Sequence, residues 1–443
     1  MKTSLTDKLL AVGAAFAAAF VLSAADNSVL VRNVDVHPVV GADIHNGAVL
    51  VIDGKIAEVG THVAPHGGTR VVDGHGLQLY PGLINAATNV GLEEIESLRD
   101  TIDLDEMGMF NPELRAQIAF NPSSEHVDVT RASGVTTVVA LPGSGGRGGR
   151  GGGGGSIITG QAALMHLDGW TWEDMAVKPT AAMDMLFPEI QGVGGRGGFA
   201  ALLGGPTRSY AEEERQYKQK LDEVSQFFED ARRYELAKAT GGPEFKRDIR
   251  LEAMIPVIDG KLPLFVRAER ERMIKDAIAF AEKEKVKIII ADPRELGSAG
   301  PLLKAHDIPV VLGKTFQLPM RDDDPYDAAY TLPNEFYKAG VKLCFGTFDV
   351  EFARNVPFEA AQAVAFGLPR EEALKDLTIN SAEILGVGSQ LGSIEKGKSG
   401  DFILTDGDPM EAKTNIKQMF IAGREVSLES RHTREYEKWI KRP

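Results

Sequence analysis

The middle of this chain alternates short apolar runs with charge-rich amphipathic segments, and this alternation constrains the fold more than any other feature. Residues 135–140, 286–290 and 309–312 are apolar and rich in β-branched side chains, as strands are. Residues 269–283 have a helical pattern, and another helix begins near Glu371. Strands that alternate with helices form parallel sheets. The sequence therefore predicts an α/β fold built around a parallel sheet or barrel.

Both ends of the chain have a different sequence pattern, in which short strand-like runs are separated by turn residues. Residues 29–31 and 49–52 are strand-like, and Asp53-Gly54 is a two-residue hairpin signal. Residues 401–404 and 418–426 have the same character. We predict one small β-sandwich domain made from residues 26–80 and 389–430, a barrel at 81–388, and a C-terminal tail at 431–443.

The composition is that of a globular protein, with 43% hydrophobic and 25% charged residues in a length of 443. The net charge of −14 argues against a nucleic-acid partner, because phosphate binding needs a basic surface. Cys344 is the only cysteine, so the chain has no internal disulfide. Its apolar neighbours predict a small buried side chain.

The first 25 residues have the pattern of a secretory signal peptide. Lys2 and Lys8 precede an apolar run at 9–22, and small residues at 23–25 precede Asp26. The run is shorter than the roughly 20 residues of a membrane span, and no later segment has a transmembrane pattern. We therefore expect a periplasmic or secreted protein with no membrane span after cleavage, with an uncleaved N-terminal anchor as the alternative.

Glycine-rich segments at 143–155 and 192–205 interrupt the strand–helix order. Neither continues into the Gly-Lys-Ser/Thr of a phosphate-binding P-loop. We interpret both as flexible loops, with a lid over the barrel mouth as the alternative. The charge-dense segment at 208–239 is interpreted as a solvated helix.

Two segments of the sequence resemble the corresponding segments of a known protein family. Tyr80-Pro81-Gly82-Leu83-Ile84 leads to Gly91, and residues 372–402 form a long match through Gly386, Gly392 and Gly397. Together they resemble the imidazolonepropionase-like branch of the amidohydrolase superfamily. The resemblance implies a distorted (β/α)8 TIM barrel with a small β-sandwich domain, and a site at the C-terminal ends of the barrel strands.

The same resemblance implies where the divalent-metal ligands and the catalytic aspartate stand, and this chain has other residues there. These positions hold Ala87, Asn89, Arg267, Asp292 and Phe348. Alanine, phenylalanine and a guanidinium cannot bind a metal cation, and a neutral amide is a poor zinc ligand. Asp349 follows Phe348 and is the remaining candidate for the catalytic aspartate.

The same residues allow three interpretations of the barrel mouth. Arg267 can pair internally with Asp292 or Asp349 and fill the place of a metal. Alternatively, the mouth binds a small carboxylate or phosphate ligand, with candidate residues Asn89, Arg267, Asp292, Arg294 and Lys314. A third interpretation is a weak Mg²⁺ or Ca²⁺ site of carboxylates that includes Glu269. We expect no cofactor, with the divalent cation as the alternative.

Three functions follow from these interpretations. The first is a non-catalytic binding or partner subunit, associated with an intact amidohydrolase paralogue or with itself. The second is an active hydrolase of cyclic amide or peptide-like C–N bonds that uses an atypical metal site. The third is a barrel that binds an anionic ligand without turnover.

Overall fold

The computed structural model describes residues 28–104, 106–143, 156–190, 209–242 and 245–442. The predicted signal peptide at 1–25 and the predicted loop 192–205 lie outside these ranges, as does loop 143–155 apart from Gly143. Within the described ranges, no helix is long and apolar enough to cross a membrane.

Strands from both ends of the chain form one eight-stranded sheet, which confirms a separate β-domain built from the two termini. Its strands are β1 Val29–Val36, β2 Ile44–Ile52, β3 Lys55–Gly60, β4 Arg70–Asp73, β5 Gln78–Pro81, β14 Phe402–Thr405, β15 Ile416–Ile421 and β16 Arg424–Val426. β5 joins the two halves, because it pairs with β1 in parallel and with β14 in antiparallel orientation. Asp53 and Gly54 connect β2 to β3 with positive φ angles of 50° and 78°, as a two-residue hairpin turn requires.

A second eight-stranded sheet forms the barrel, with its strands in sequence order. They are β6 Leu83–Thr88, β7 Val135–Ala140, β8 Ile158–His166, β9 Ala176–Leu186, β10 Leu264–Arg267, β11 Ile288–Ala291, β12 Val310–Leu312 and β13 Leu343–Phe345. Neighbouring strands are parallel except at β8, which is antiparallel to both β7 and β9. This reversed strand is the distortion in the predicted (β/α)8 barrel.

Helices surround the barrel and fill the links between strands. They are α1 Ala116–Ala119, α2 Glu125–Arg131, α3 Trp172–Met175, α4 Tyr210–Thr240, α5 Ile249–Ile258, α6 Glu271–Glu284, α7 Gly300–Ala305, α8 Ala328–Lys338, α9 Val356–Ala365, α10 Arg370–Asp376, α11 Ile379–Ile384 and α12 Arg431–Ile440. Short 3₁₀ turns lie at Arg99–Thr101 and Ala353–Asn355. The predicted C-terminal tail contains α12.

The helix predicted at 208–239 is present as α4, and most of it faces solvent, but one side packs against the barrel. A capping box of Ser209 and Glu212 begins it. Val224, Phe227 and Phe228 are buried, and the Phe228 ring meets Phe280 of α6 edge to face at 5.5 Å. These buried residues form a narrow stripe. Because charged residues surround it, the sequence pattern did not reveal it.

Side chains alternate between the inside and the outside of the barrel along each strand. On β10, Leu264 and Val266 join the cluster under the helices, whereas Phe265 joins the inner cluster with Cys344. Cys344 is fully buried, as predicted. Position 267 is the next inward one, at the end of the strand. The pattern therefore directs Arg267 into the barrel mouth.

The β-domain is fixed to the bottom of the barrel through Asp401. Its Oδ2 lies 2.9 Å from Nε2 of His166, and its Oδ1 accepts hydrogen bonds from the Ala422 amide and the Ser399 hydroxyl. Burial opposes the charged form, but His166 and these donors hold the pKa of Asp401 below its ordinary value. His166 is therefore a structural residue at the end opposite the mouth.

Candidate functional site

The end of β6 closes the barrel against the loop after β13. The Ala87 carbonyl accepts hydrogen bonds from the amides of Thr347 and Phe348, at 2.8 and 2.9 Å. A Cβ atom on Gly346 would lie 2.7 Å from the Ala87 Cβ, so this approach requires glycine. Ala87 is fully buried in this contact. Its backbone helps to close the barrel, and its methyl side chain has no atom that could bind a ligand in the mouth.

Two asparagines reinforce the same closure. Asn85 donates to the Thr347 hydroxyl at 3.0 Å and accepts from the Thr347 amide at 3.2 Å. Asn89 is 5% exposed and donates from Nδ2 to the Leu141 carbonyl at 3.0 Å, which ties the end of β6 to the end of β7. The amide nitrogen of Asn89 is thus engaged within the protein.

Arg267 forms a buried ion pair, and its partner is Asp184 of β9. Its Nε donates to Asp184 Oδ1 at 3.1 Å, and its Nη2 donates to the carbonyls of Pro142 and Gly143 at 2.7 and 3.3 Å. The side chain of Arg267 is 8% exposed and that of Asp184 is 0% exposed. The prediction that Arg267 pairs internally is correct, but the predicted partners, Asp292 and Asp349, were wrong.

Asp184 was missed at the sequence level, although it is an isolated charge in the apolar run of β9. Its second oxygen accepts the Thr159 hydroxyl at 2.5 Å, so both oxygens have partners. Burial raises the pKa of Asp184, while Arg267 and Thr159 act in the opposite direction. A lone acid within a buried strand is the signal that predicts a buried cationic partner.

Phe348 covers the inner cluster beside this pair. Its ring centroid lies 5.9 Å from the Arg267 guanidinium carbon and 6.2 Å from the Phe265 ring. The backbone at Phe348 has φ of 54°, a left-handed conformation that is unusual for a large side chain. The aromatic ring and the guanidinium together fill the centre of the mouth.

Asp292 lies at the end of β11 and is partly buried among charged residues. Burial, followed by the charge of Glu269, raises its pKa to about 7, while Arg267, Arg294 and Lys314 act in the opposite direction. Its backbone is also left-handed, with φ of 51°. The carboxyl group lies directly against Gly313, where a Cβ atom would clash with it.

The cations near Asp292 are bonded to other groups. Lys314 forms an ion pair with Asp349, and Arg294 donates to the Leu318 carbonyl at 2.9 Å. Asp349 also accepts the Phe352 amide at 3.0 Å through its other oxygen. The structure thus brings the predicted ligand-binding residues together around the mouth, but it uses most of their polar atoms internally. Asp349, the catalytic candidate, is held by Lys314.

These side chains do not fit a divalent metal. Over the described ranges, no three His, Cys, Asp or Glu side chains are grouped so that they could hold a metal ion. A fixed guanidinium occupies the position of one expected ligand, and its charge opposes a nearby dication. The barrel histidines have other partners: His126 contacts the Glu94 carbonyl, and His306 contacts Glu282.

Comparison with known proteins agrees with this architecture. A profile of the amidohydrolase family matches residues 334–426. An amidohydrolase from Thermotoga maritima MSB8 superimposes with a TM-score of 0.74 and 26% identity, over 90% of this chain and 99% of that one. This chain belongs to the amidohydrolase superfamily.

Sequence matches to curated members of the superfamily are local. An amidohydrolase of Hapsidospora irregularis is 37% identical over 71 residues, which are 16% of this chain and 7% of that protein. An imidazolonepropionase of Syntrophobacter fumaroxidans is 44% identical over 57 residues, 13% of each chain. The chain therefore spans only a small share of the length of these relatives.

We predict that Arg267→Leu lowers the free energy of unfolding by about 3–5 kcal/mol, because it leaves Asp184 buried without a counter-charge. The double variant Arg267→Leu/Asp184→Leu should be less destabilised than the single one, since it removes both charges. Chemical denaturation measures this, and Lys261→Met is the control, because that lysine pairs with Asp259 on the surface and should contribute less than about 1 kcal/mol. A single variant as stable as the control would contradict the buried pair.

Asp292 should give the protein a pH-dependent stability. Its pKa of about 7 lies above the ordinary value of 3.8, so its contribution to stability falls as the pH rises between these values. Asp292→Asn should therefore be more stable than the native protein at pH 8, by at most about 4 kcal/mol. This advantage should shrink towards acidic pH.

Thermal unfolding across this pH range tests the prediction, with Asp322→Asn as a control at an exposed loop carboxylate. An advantage of Asp292→Asn that does not change with pH would contradict it.

Proposed function

We propose that this protein is a non-catalytic member of the amidohydrolase superfamily that acts as a binding or partner subunit. One observation carries the proposal: the buried Arg267–Asp184 pair stands where the resemblance implies a metal ligand. Metal-dependent hydrolysis uses a cation to polarise the carbonyl and to lower the pKa of water. Among the described residues of the mouth, no group of side chains is arranged to hold a cation for that step.

The partner in this proposal is an intact amidohydrolase paralogue or a second copy of the chain. The N-terminal sequence pattern supports a periplasmic or secreted location for the assembly. The well-packed barrel supports a role in which its surface binds a partner, because a fold can be retained without its chemistry.

A hydrolase with atypical chemistry is the second candidate, and Asp292 is the observation that favours it. A carboxyl group with a pKa of about 7 at a barrel mouth suits general acid–base catalysis at neutral pH. In this alternative, Asp292 activates water for attack on a cyclic amide or peptide-like bond. Arg294 and Lys314 lie close enough to influence its charge and would orient an anionic group of the substrate.

The test is a hydrolysis screen of the native protein, purified without chelator, against cyclic amides, N-acyl amino acids and dipeptides. We expect no turnover above buffer, with or without added Zn²⁺ or Mn²⁺, because the mouth cannot position the metal. An intact superfamily enzyme, assayed in parallel, shows that the panel and the conditions are adequate.

The other outcomes separate the alternatives. Turnover that a chelator abolishes would refute the proposal. Turnover that resists the chelator and disappears in Asp292→Asn would establish the acid–base hydrolase. Stabilisation by citrate or phosphate that is lost in Arg294→Met, without turnover, would instead identify an anion-binding barrel.

A further inference from the structure

The C-terminal helix α12 lies on the surface of the barrel and is fixed in place there. A capping box of Ser430 and Thr433 begins it. Arg434 donates to both carboxylate oxygens of Glu125 on α2, at 2.7 and 3.0 Å. No residue of α12 is buried. The helix therefore adds little to the core, and its outer side is free to meet another surface.

An apolar stripe runs along the exposed side of α12. Tyr436, Trp439 and Ile440 are 66%, 52% and 62% exposed. Their spacing places them side by side on one face of the helix. Tyrosine and tryptophan are the residues that concentrate at membrane–water interfaces, because each has an apolar ring and a polar atom.

Basic residues outnumber acidic ones around this stripe, although Glu435 accepts the Trp439 ring N–H and pairs with Lys438. Between positions 431 and 442, two glutamates accompany five basic residues: Arg431, Arg434, Lys438, Lys441 and Arg442. Lys438 and Arg442 lie over the Trp439 ring, 5.0 and 5.2 Å from its centroid. The segment is thus basic in a chain whose net charge is −14.

We propose that α12 docks this protein on a lipid surface that carries anionic headgroups. An interfacial helix combines an aromatic and aliphatic stripe with lysine and arginine on its polar side. Each basic residue near such a surface strengthens binding about fivefold. Three apolar side chains are too small a patch for a stable protein interface, which buries roughly 800 Å² on each partner. The charge and the size of the stripe therefore both favour a membrane over a second copy of the chain.

Vesicle co-sedimentation of the full chain tests this proposal. We expect binding to vesicles that contain phosphatidylglycerol, weak binding to pure phosphatidylcholine, and release at high salt. Trp439→Asp should abolish the binding. Lys441→Gln/Arg442→Gln should weaken it by more than about tenfold on the anionic vesicles alone.

Trp170→Asp is the matched control, because Trp170 is 93% exposed but lies outside the stripe. It should bind like the native protein, and circular dichroism confirms that all variants are folded. Equal binding to both kinds of vesicle, or no binding, would overturn the proposal. Concentration-dependent dimerisation without lipid that is lost in Trp439→Asp would assign the stripe to self-association instead.

Discussion

The mouth of this barrel is organised by one buried ion pair, Arg267 with Asp184. The pair joins neighbouring strands β10 and β9, and the same guanidinium holds the carbonyls of Pro142 and Gly143 at the end of β7. Buried charges are stable only when paired and hydrogen-bonded. Both oxygens of Asp184 and the guanidinium have these partners, so the pair and its hydrogen bonds tie the ends of these strands together.

The rest of the mouth follows from this arrangement. Phe348 can lie over the inner cluster because Arg267 stands beside it and supplies a cation to the ring face. Lys314 is taken by Asp349. Among the described residues Asp292 has no ion-pair partner, and burial, followed by the charge of Glu269, raises its pKa to about 7. It is the group in this mouth best suited to respond to pH or to an incoming ligand.

Local sequence predicted a parallel sheet or barrel and the composite β-domain, and the family resemblance implied the distorted (β/α)8 barrel. Gly82, for example, lies so close to Thr136 that a Cβ would clash, which explains why Pro81-Gly82 marks the entry to the barrel. The identity of the partner of Arg267 was not predicted, because Asp184 lies 83 positions away along the chain. The reversal of β8 was also hidden, because strand alternation is the same in both directions. Even where the sequence correctly placed a residue at the barrel mouth, the partner of its side chain depended on the folded geometry.

Metal stoichiometry of the native protein tests the central claim most directly. The protein would be purified without chelator, equilibrated with Zn²⁺, freed of excess metal and analysed by inductively coupled plasma mass spectrometry. An ion pair that replaces the metal predicts a content well below one equivalent, unchanged in Arg267→Lys. About one equivalent of tightly bound zinc, removable by chelator and lost when Asp292 is replaced by alanine, would contradict the account.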